Sequence, residues 1–303
     1  QPCRRMRPIT AVVAAVVATV AAGPGCLVVD TAPARHAHPT APAPARDTDE
    51  VTVTWIGHAT CLIGVAGHWF LTDPVLGRRI AGVLPRRIAA GIDPADLPPL
   101  DAVLISHAHF DHLDLPSLRE VDAPVVLVPP GVAGLLPDDV APRATAVDTW
   151  GTWRRGDVTI TAVPASHGDG RWGVDVWRRH AHTGWVIEVG DRTIYFAGDT
   201  GYVPAQARAL RARFHVDVAL IPVGPAGRPR WVEWLRRRVH ATPSQAMALF
   251  EDTGAQWMVP IHYGTFFEDL DHEAPVLRAA IAEHELDRRV RVLAVGDTAA
   301  FLY

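Results

Sequence analysis

The chain has 303 residues, 49% of them hydrophobic and 20% charged, with a net charge of -4, so it is long enough for one large or two ordinary domains with a sizeable core. All 29 basic residues are arginine and none is lysine, which excludes Schiff-base and phosphate-loop chemistry built on a lysine amine. The near-neutral balance creates no whole-protein field for nucleic acid, and no nucleic-acid partner is expected.

Arg4, Arg5 and Arg7 precede the run ITAVVAAVVATVAA, from Ile9 to Ala22. A basic stretch followed by a short apolar one reads as a secretory leader, too short to span a bilayer comfortably. The stretch GPGC (Gly23 to Cys26) is similar to a bacterial lipoprotein cleavage box, although Gly23 stands where leucine is usual and Pro24 is foreign to the pattern. The expectation is export to the cell envelope with Cys26 as a lipidated anchor, residues 1–29 forming the leader. Residues 30–49 are rich in alanine and proline without apolar periodicity, which is the composition of a tether. With Cys3 and Cys26 in the leader, Cys61 stands alone and no disulfide framework is implied.

A single folded domain is expected over residues 50–303. Short β-branched runs mark strands at 51–56, 61–65, 102–106, 125–128, 158–163, 185–189, 193–197, 218–221 and 257–260. Between the later strands, Thr242 to Gly254 reads as a helix, with Thr242 as N-cap, Pro243 in the first turn and Gly254 closing the end. A second helix is expected over 274–285. The alternation suggests an α/β fold of two sheets with helices outside.

The strand at 102–106 runs into ISHAHFDHLD, which places three histidines and two aspartates within ten residues. Imidazole and carboxylate suit zinc and similar divalent ions, and His107, His109, Asp111 and His112 on one loop can converge on them. Other strand ends supply further donors: His167 after the strand at 158–163, Asp199 after that at 193–197, and His262 after that at 257–260. Seven donors exceed one tetrahedral ion and fit two ions sharing a carboxylate. Zinc is the first expectation, with iron or manganese accepted by the same donor types. Asp73, Asp114 and His58 are candidates to orient the imidazoles, the alternative being polar residues that serve turns. His36, His38, His180, His182, His272 and His284 have no strand-end context and are expected at the surface.

In this order the residues resemble the metallo-β-lactamase superfamily, and most closely its branch of N-acylphosphatidylethanolamine-hydrolysing phospholipase D. The segments that carry the resemblance are TWIGHAT (Thr54 to Thr60), LTDP (Leu71 to Pro74), ISHAHFDHLD, AGDTGY (Ala197 to Tyr202), LIPVGP (Leu220 to Pro225), HATPSQA (His240 to Ala246) and IHYGTF (Ile261 to Phe266). The resemblance implies a four-layer αββα sandwich. It also implies one metal on His107, His109 and His167, a second on Asp111, His112 and His262, and Asp199 bridging. The implied activity is hydrolysis of a phosphodiester in a phospholipid by a metal-bridged hydroxide, with Asp111 and His240 as catalytic residues and His240 beside the substrate. Family relatives often pair, so a homodimer is expected.

The substrate is read from weaker signals. Segments 76–92 and 228–240 mix arginine with apolar residues, Trp231 and Trp234 among them, which suits an anionic lipid surface as well as it suits an ordinary amphipathic helix. Two other readings stand beside the phosphodiesterase: a lactonase or other ester hydrolase on the same site, and a non-catalytic metal-binding lipoprotein.

Overall fold

The computed structural model describes residues 50–82, 84–168, 170–171, 180–224, 239–266 and 270–302. The expected leader and tether lie outside these residues, as does most of the tryptophan- and arginine-bearing segment before His240. In chain order the strands are β1 (Val51–Gly57), β2 (Thr60–Val65), β3 (His68–Thr72), β4 (Arg79–Ile80), β5 (Leu84–Pro85), β6 (Ala102–Leu104), β7 (Val126–Val128), β8 (Ala144–Ala146), β9 (Thr152–Arg155), β10 (Val158–Val163), β11 (Gly184–Val189), β12 (Arg192–Phe196), β13 (Val218–Pro222), β14 (Trp257–Ile261) and β15 (Thr298–Phe301). The helices are α1 (Leu115–Glu120), α2 (Pro130–Ala133), α3 (Pro204–Arg211), α4 (Pro243–Thr253) and α5 (Leu270–Glu283).

Two main sheets form. One has seven strands in the order β15-β1-β2-β3-β6-β7-β8, the other six in the order β14-β13-β12-β11-β10-β9, and β4 with β5 makes a small hairpin. Both faces of the seven-stranded sheet are covered, which is why its strands read as continuous apolar runs. Along β1 and β2, Val51, Val53, Trp55, Cys61 and Ile63 enter the large core shared with the second sheet. Ile56 and Leu62 turn to the opposite face, with Leu118 of α1 and Val132 of α2. Ala207 and Leu210 of α3, Met247 and Phe250 of α4, and Leu277 and Ile281 of α5 join the core of the six-stranded sheet. The result is the four-layer αββα sandwich. Cys61 is buried in β2 with a free thiol.

Helix α4 starts and stops at the expected residues. The Thr242 side chain accepts from the Gln245 N–H while Gln245 reaches back to the Thr242 N–H, and Gly254 closes the end at φ 71°. The second expected helix lies earlier than its apolar pattern suggests, at Leu270–Glu283. Strands β3, β4, β5, β8, β9 and β15 add to those expected; β8, β9 and β15 are short, outer strands whose residues are mostly half-buried or exposed.

Strands β10 and β12 both run antiparallel to β11, and β12, β13 and β14 are parallel. Hence β10, β12 and β14 end at one edge of the six-stranded sheet. The end of β6 in the other sheet is drawn to that edge: the Thr183 N–H donates to the Ser106 carbonyl at 2.9 Å and the Trp185 indole to the Ile105 carbonyl at 3.0 Å. Gly198 permits the approach. It adopts φ +61°, and a Cβ there would lie 2.5 Å from that of Ser106.

Candidate metal centre

All the expected donor residues meet where these strands end. The β6 loop brings His107, His109, Asp111 and His112; β10 leads to His167, β12 to Asp199 and β14 to His262. The chain after His109 turns at once, with the N–H groups of His112 and Leu113 donating to the His109 carbonyl, and the turn brings Asp111 and His112 back to the same centre. Arg171 braces this turn from outside. Its guanidinium donates to the carbonyls of Ala108 and Leu113 at 2.8 and 3.0 Å and lies over the Phe110 ring.

The donors fall into two clusters. In the first, His109 Nδ1 lies 3.0 Å from His107 Nε2 and 3.1 Å from His167 Nε2. In the second, His112 and His262 face each other beside Asp111, whose Oδ2 is 3.9 Å from His112 Nε2. Asp199 stands between the clusters. Its Oδ2 lies 4.0 Å from His107 Nε2, 3.9 Å from His167 Nε2 and 3.3 Å from His112 Nε2, while its Oδ1 lies 3.0 Å from His262 Nε2.

Not all of these atoms satisfy one another. His112 Nε2, His262 Nε2 and Asp199 Oδ1 are buried without a hydrogen-bond partner, an arrangement that costs roughly 1–3 kcal/mol per group. Donors sharing a tetrahedral ion at about 2.0–2.1 Å stand about 3.3 Å apart, which is the spacing seen between His112 and Asp199. Convergent nitrogen and oxygen atoms, three of them buried without a hydrogen-bond partner, thus fit the binding of divalent metal.

Hydrogen bonds behind the rings set which nitrogen faces inward. The Ser106 hydroxyl donates to Asp73 Oδ2 at 2.5 Å, which leaves its oxygen to accept from His107 Nδ1 at 2.9 Å. Asp73 also accepts from His112 Nδ1 at 2.7 Å and from the Ser106 N–H at 2.6 Å. His167 Nδ1 donates to the Val239 carbonyl at 2.8 Å. For His107 and His167 this leaves Nε2 with a lone pair toward the cluster, as a metal-binding histidine requires, while Nε2 of His112 offers one once its proton is displaced. Ser106 and Arg171 are not among the residues expected at the centre. Ser106 had a signal, its place immediately before the first histidine; Arg171 had none.

Of the three expected orienting residues, Asp73 and His58 lie at the centre. Asp114 does not: it caps α1, accepting from the Ser117 N–H at 3.1 Å and from its hydroxyl at 2.5 Å. The carboxylate serves the helix because it follows the donor loop and begins the next element. His180 is exposed, but His182 and His284 are half-buried, the former in a β-bridge with His107 and the latter 3.1 Å from Glu251.

The electrostatics follow from burial and from this crowding. Burial pushes the His167 pKa down to about 3 against the pull of Asp199, and takes His107 well below the ordinary value, with help from neighbouring histidines. His112 is also penalised by burial, yet Asp199, Asp111 and Asp73 together raise it well above its usual value. Burial opposes ionisation of Asp111 and Asp199, but the surrounding histidines hold both carboxyls low. The centre opens on one side: the Asp111 and His240 side chains are 19% and 16% exposed, against 2% for Asp199. His240 Nδ1 lies 3.5 Å from Asp199 Oδ2 and its ring meets His167 edge-on at 4.9 Å.

The chain has counterparts among known proteins. The chain is 32% identical over 257 residues to an uncharacterised protein of Mycobacterium tuberculosis, covering 77% of this chain and 66% of that one. It is 31% identical over 234 residues to an N-acyl-phosphatidylethanolamine-hydrolyzing phospholipase D of Caenorhabditis elegans, covering 70% of this chain and 64% of the nematode protein. The chain therefore spans just under two thirds of the length of these relatives. Among solved structures, the isothiocyanate hydrolase from Delia radicum gut bacteria matches with TM-score 0.65 and 25% identity over 83% of this chain and all of the other. The family model described as the beta-lactamase superfamily domain matches residues 68–263, and the chain belongs to that superfamily, with the metallo-β-lactamase fold.

Proposed function

We propose that the protein is a dinuclear metal-dependent phosphodiesterase that acts on N-acylphosphatidylethanolamine or a related phospholipid. The observation behind this reading is the pair of donor clusters sharing Asp199 beneath an opening lined by Asp111 and His240. His107, His109 and His167 would hold one ion; Asp111, His112 and His262 would hold the other, with Asp199 reaching both. When bound, two such ions acidify water and draw electron density from the oxygens of an ester under attack.

The chain's own groups supply the rest. Asp111, at the open side, is placed to accept a hydrogen bond from the attacking water and so to aim its lone pair at phosphorus. His240 is within reach of a phosphoryl or leaving oxygen, where an imidazole N–H can stabilise charge or pass a proton. Burial of Asp199, His107 and His112 keeps bulk water from the floor of the site. The nematode relative's name supports the lipid class. Membrane association through lipidated Cys26, export to the cell envelope and pairing with a second copy belong to the same proposal.

A second reading, a lactonase or other ester hydrolase on the same site, draws on the likeness to the isothiocyanate hydrolase. The deciding measurement is phosphatidic acid release from N-acylphosphatidylethanolamine by metal-replete protein beside a His109→Ala control. Release by the wild type alone is expected. Failure of a protein holding two metals to release it, together with turnover of lactones or small esters, would move the assignment to carbon electrophiles.

A further inference from the structure

His58 sits in the turn between β1 and β2, outside the expected donor set, and its surroundings are more constrained than a turn requires. Its backbone is left-handed at φ 57°, an uncommon state for a residue with a side chain, with a cost on the order of 1–3 kcal/mol in unfavourable cases. Three hydrogen bonds hold it there. The His58 N–H donates to Thr265 Oγ1 at 2.9 Å, and its carbonyl accepts from the Trp55 indole at 2.8 Å and from the His262 N–H at 2.9 Å. The preceding Gly57 is at φ +118° with no room for a Cβ, which would lie 2.7 Å from an Arg86 guanidinium nitrogen.

This clamped backbone aims the ring at the second cluster. His58 Nε2 is 3.2 Å from Asp111 Oδ2, and among the described residues it is the donor within hydrogen-bond reach of that carboxylate. The ring packs against His262 with centroids 4.0 Å apart and meets Phe266 edge-on at 4.7 Å. One residue thus touches Asp111 through its side chain and His262 through both ring and backbone.

We infer that His58 is a positioning residue for the second metal ion: its Nε2–H fixes the Asp111 carboxylate, and its clamped turn fixes His262 relative to it. The inference rests on the dinuclear reading above. A carboxylate that must hold an ion at one oxygen while remaining half-open to solvent has two torsions to fix, and a donor on a rigid turn removes that freedom before the ion arrives. The donor must sit at the Nε2 position, because Nδ1 faces away from Asp111.

The test compares two amide replacements, since they separate metal positioning from folding. His58→Gln restores an N–H donor near the Nε2 position but is poorly suited to a left-handed backbone. His58→Asn suits that backbone well but places its amide near the Nδ1 position, short of Asp111. For wild type and both variants, zinc affinity is measured by titration against a chelator, metal content by elemental analysis, and unfolding midpoint in chelator. Wild type is expected to bind two ions. His58→Asn should keep its midpoint and bind the first ion as wild type does, while binding the second about 10–100-fold more weakly. His58→Gln should lie within a few-fold of wild type for both ions even if its midpoint falls. Equal second-ion affinity in wild type and His58→Asn, or a loss in His58→Gln as large as in His58→Asn, overturns the inference while the dinuclear reading stands. A wild type that holds one ion overturns both.

Discussion

The two donor clusters differ both in the donors they turn inward and in what holds those donors from behind. In the first, His107 and His167 are oriented by neutral partners, the Ser106 hydroxyl and the Val239 carbonyl. In the second, His112 is held by the buried Asp73 carboxylate, and Asp111 adds a carboxylate of its own to the donor set. The second site therefore gathers more negative charge, and its imidazole His112 is the one whose basicity is raised. Two ions in such a centre should differ in affinity and in what loosens them. Asp199 is the residue for which the distinction vanishes.

Asp199→Asn is accordingly expected to have the largest effect. It weakens both ions and cuts turnover well beyond the about 10–100-fold that follows loss of an outer partner, while the chain stays folded by circular dichroism. His109→Ala should match it in turnover but lose the first ion alone. Near-native activity in either metal-loaded variant would remove the dinuclear mechanism.

Asp73→Asn comes next. It should weaken the second ion by about 10–100-fold and the first much less, as read by zinc titration; equal weakening of both would erase the contrast between the clusters.

The metal-stripped protein should be acid-sensitive in a stated direction. His58 and His167 have pKa values pushed down to about 3 from 6.5 by burial, and His107 shifts the same way. The unfolded chain therefore takes up protons below pH 6.5 that the folded chain refuses. Stability is full above that pH and lost as pH falls toward 3, by about 1.4 kcal/mol per pH unit for each such histidine. Raised Asp73 opposes this at the acid end, and raised His112 loses its contribution only at higher pH. Urea midpoints of chelator-treated protein between pH 7 and 4 check the slope; a flat profile would contradict the burial of neutral imidazoles.

The smallest effect is expected for Asp114→Ala, which removes the α1 cap at a cost of about 1 kcal/mol in stability and should leave both ion affinities unchanged. Altered metal binding would return Asp114 to the centre from which its geometry removes it.

Much of the centre is legible in the chain because its donors follow apolar runs directly. A polar residue at the end of a buried strand has few places to go except the sheet edge, and four such ends in order read as one site. The cap at Thr242 is equally local: one side chain and the next turn decide it. Asp114 shows the limit of that logic. Its spacing from His112 fits a donor loop, but the competing use, capping the helix that starts one residue later, wins.

The sequence by itself determined the strand-rich α/β class, the buried strands and the residue types gathered at their ends, since apolar periodicity and donor chemistry are properties of neighbouring residues. Tertiary structure alone decided that Thr298–Phe301 pairs with the start of β1, across almost the whole domain. It also decided that Arg171 braces the donor loop, that Ser106 and Asp73 set the tautomers of His107 and His112, and that His58 reaches Asp111 from another turn. Apart from the contact between the neighbours Ser106 and His107, each of these is a hydrogen bond between segments far apart in the chain, and its partner is chosen by how strands and sheets meet, which no local pattern records.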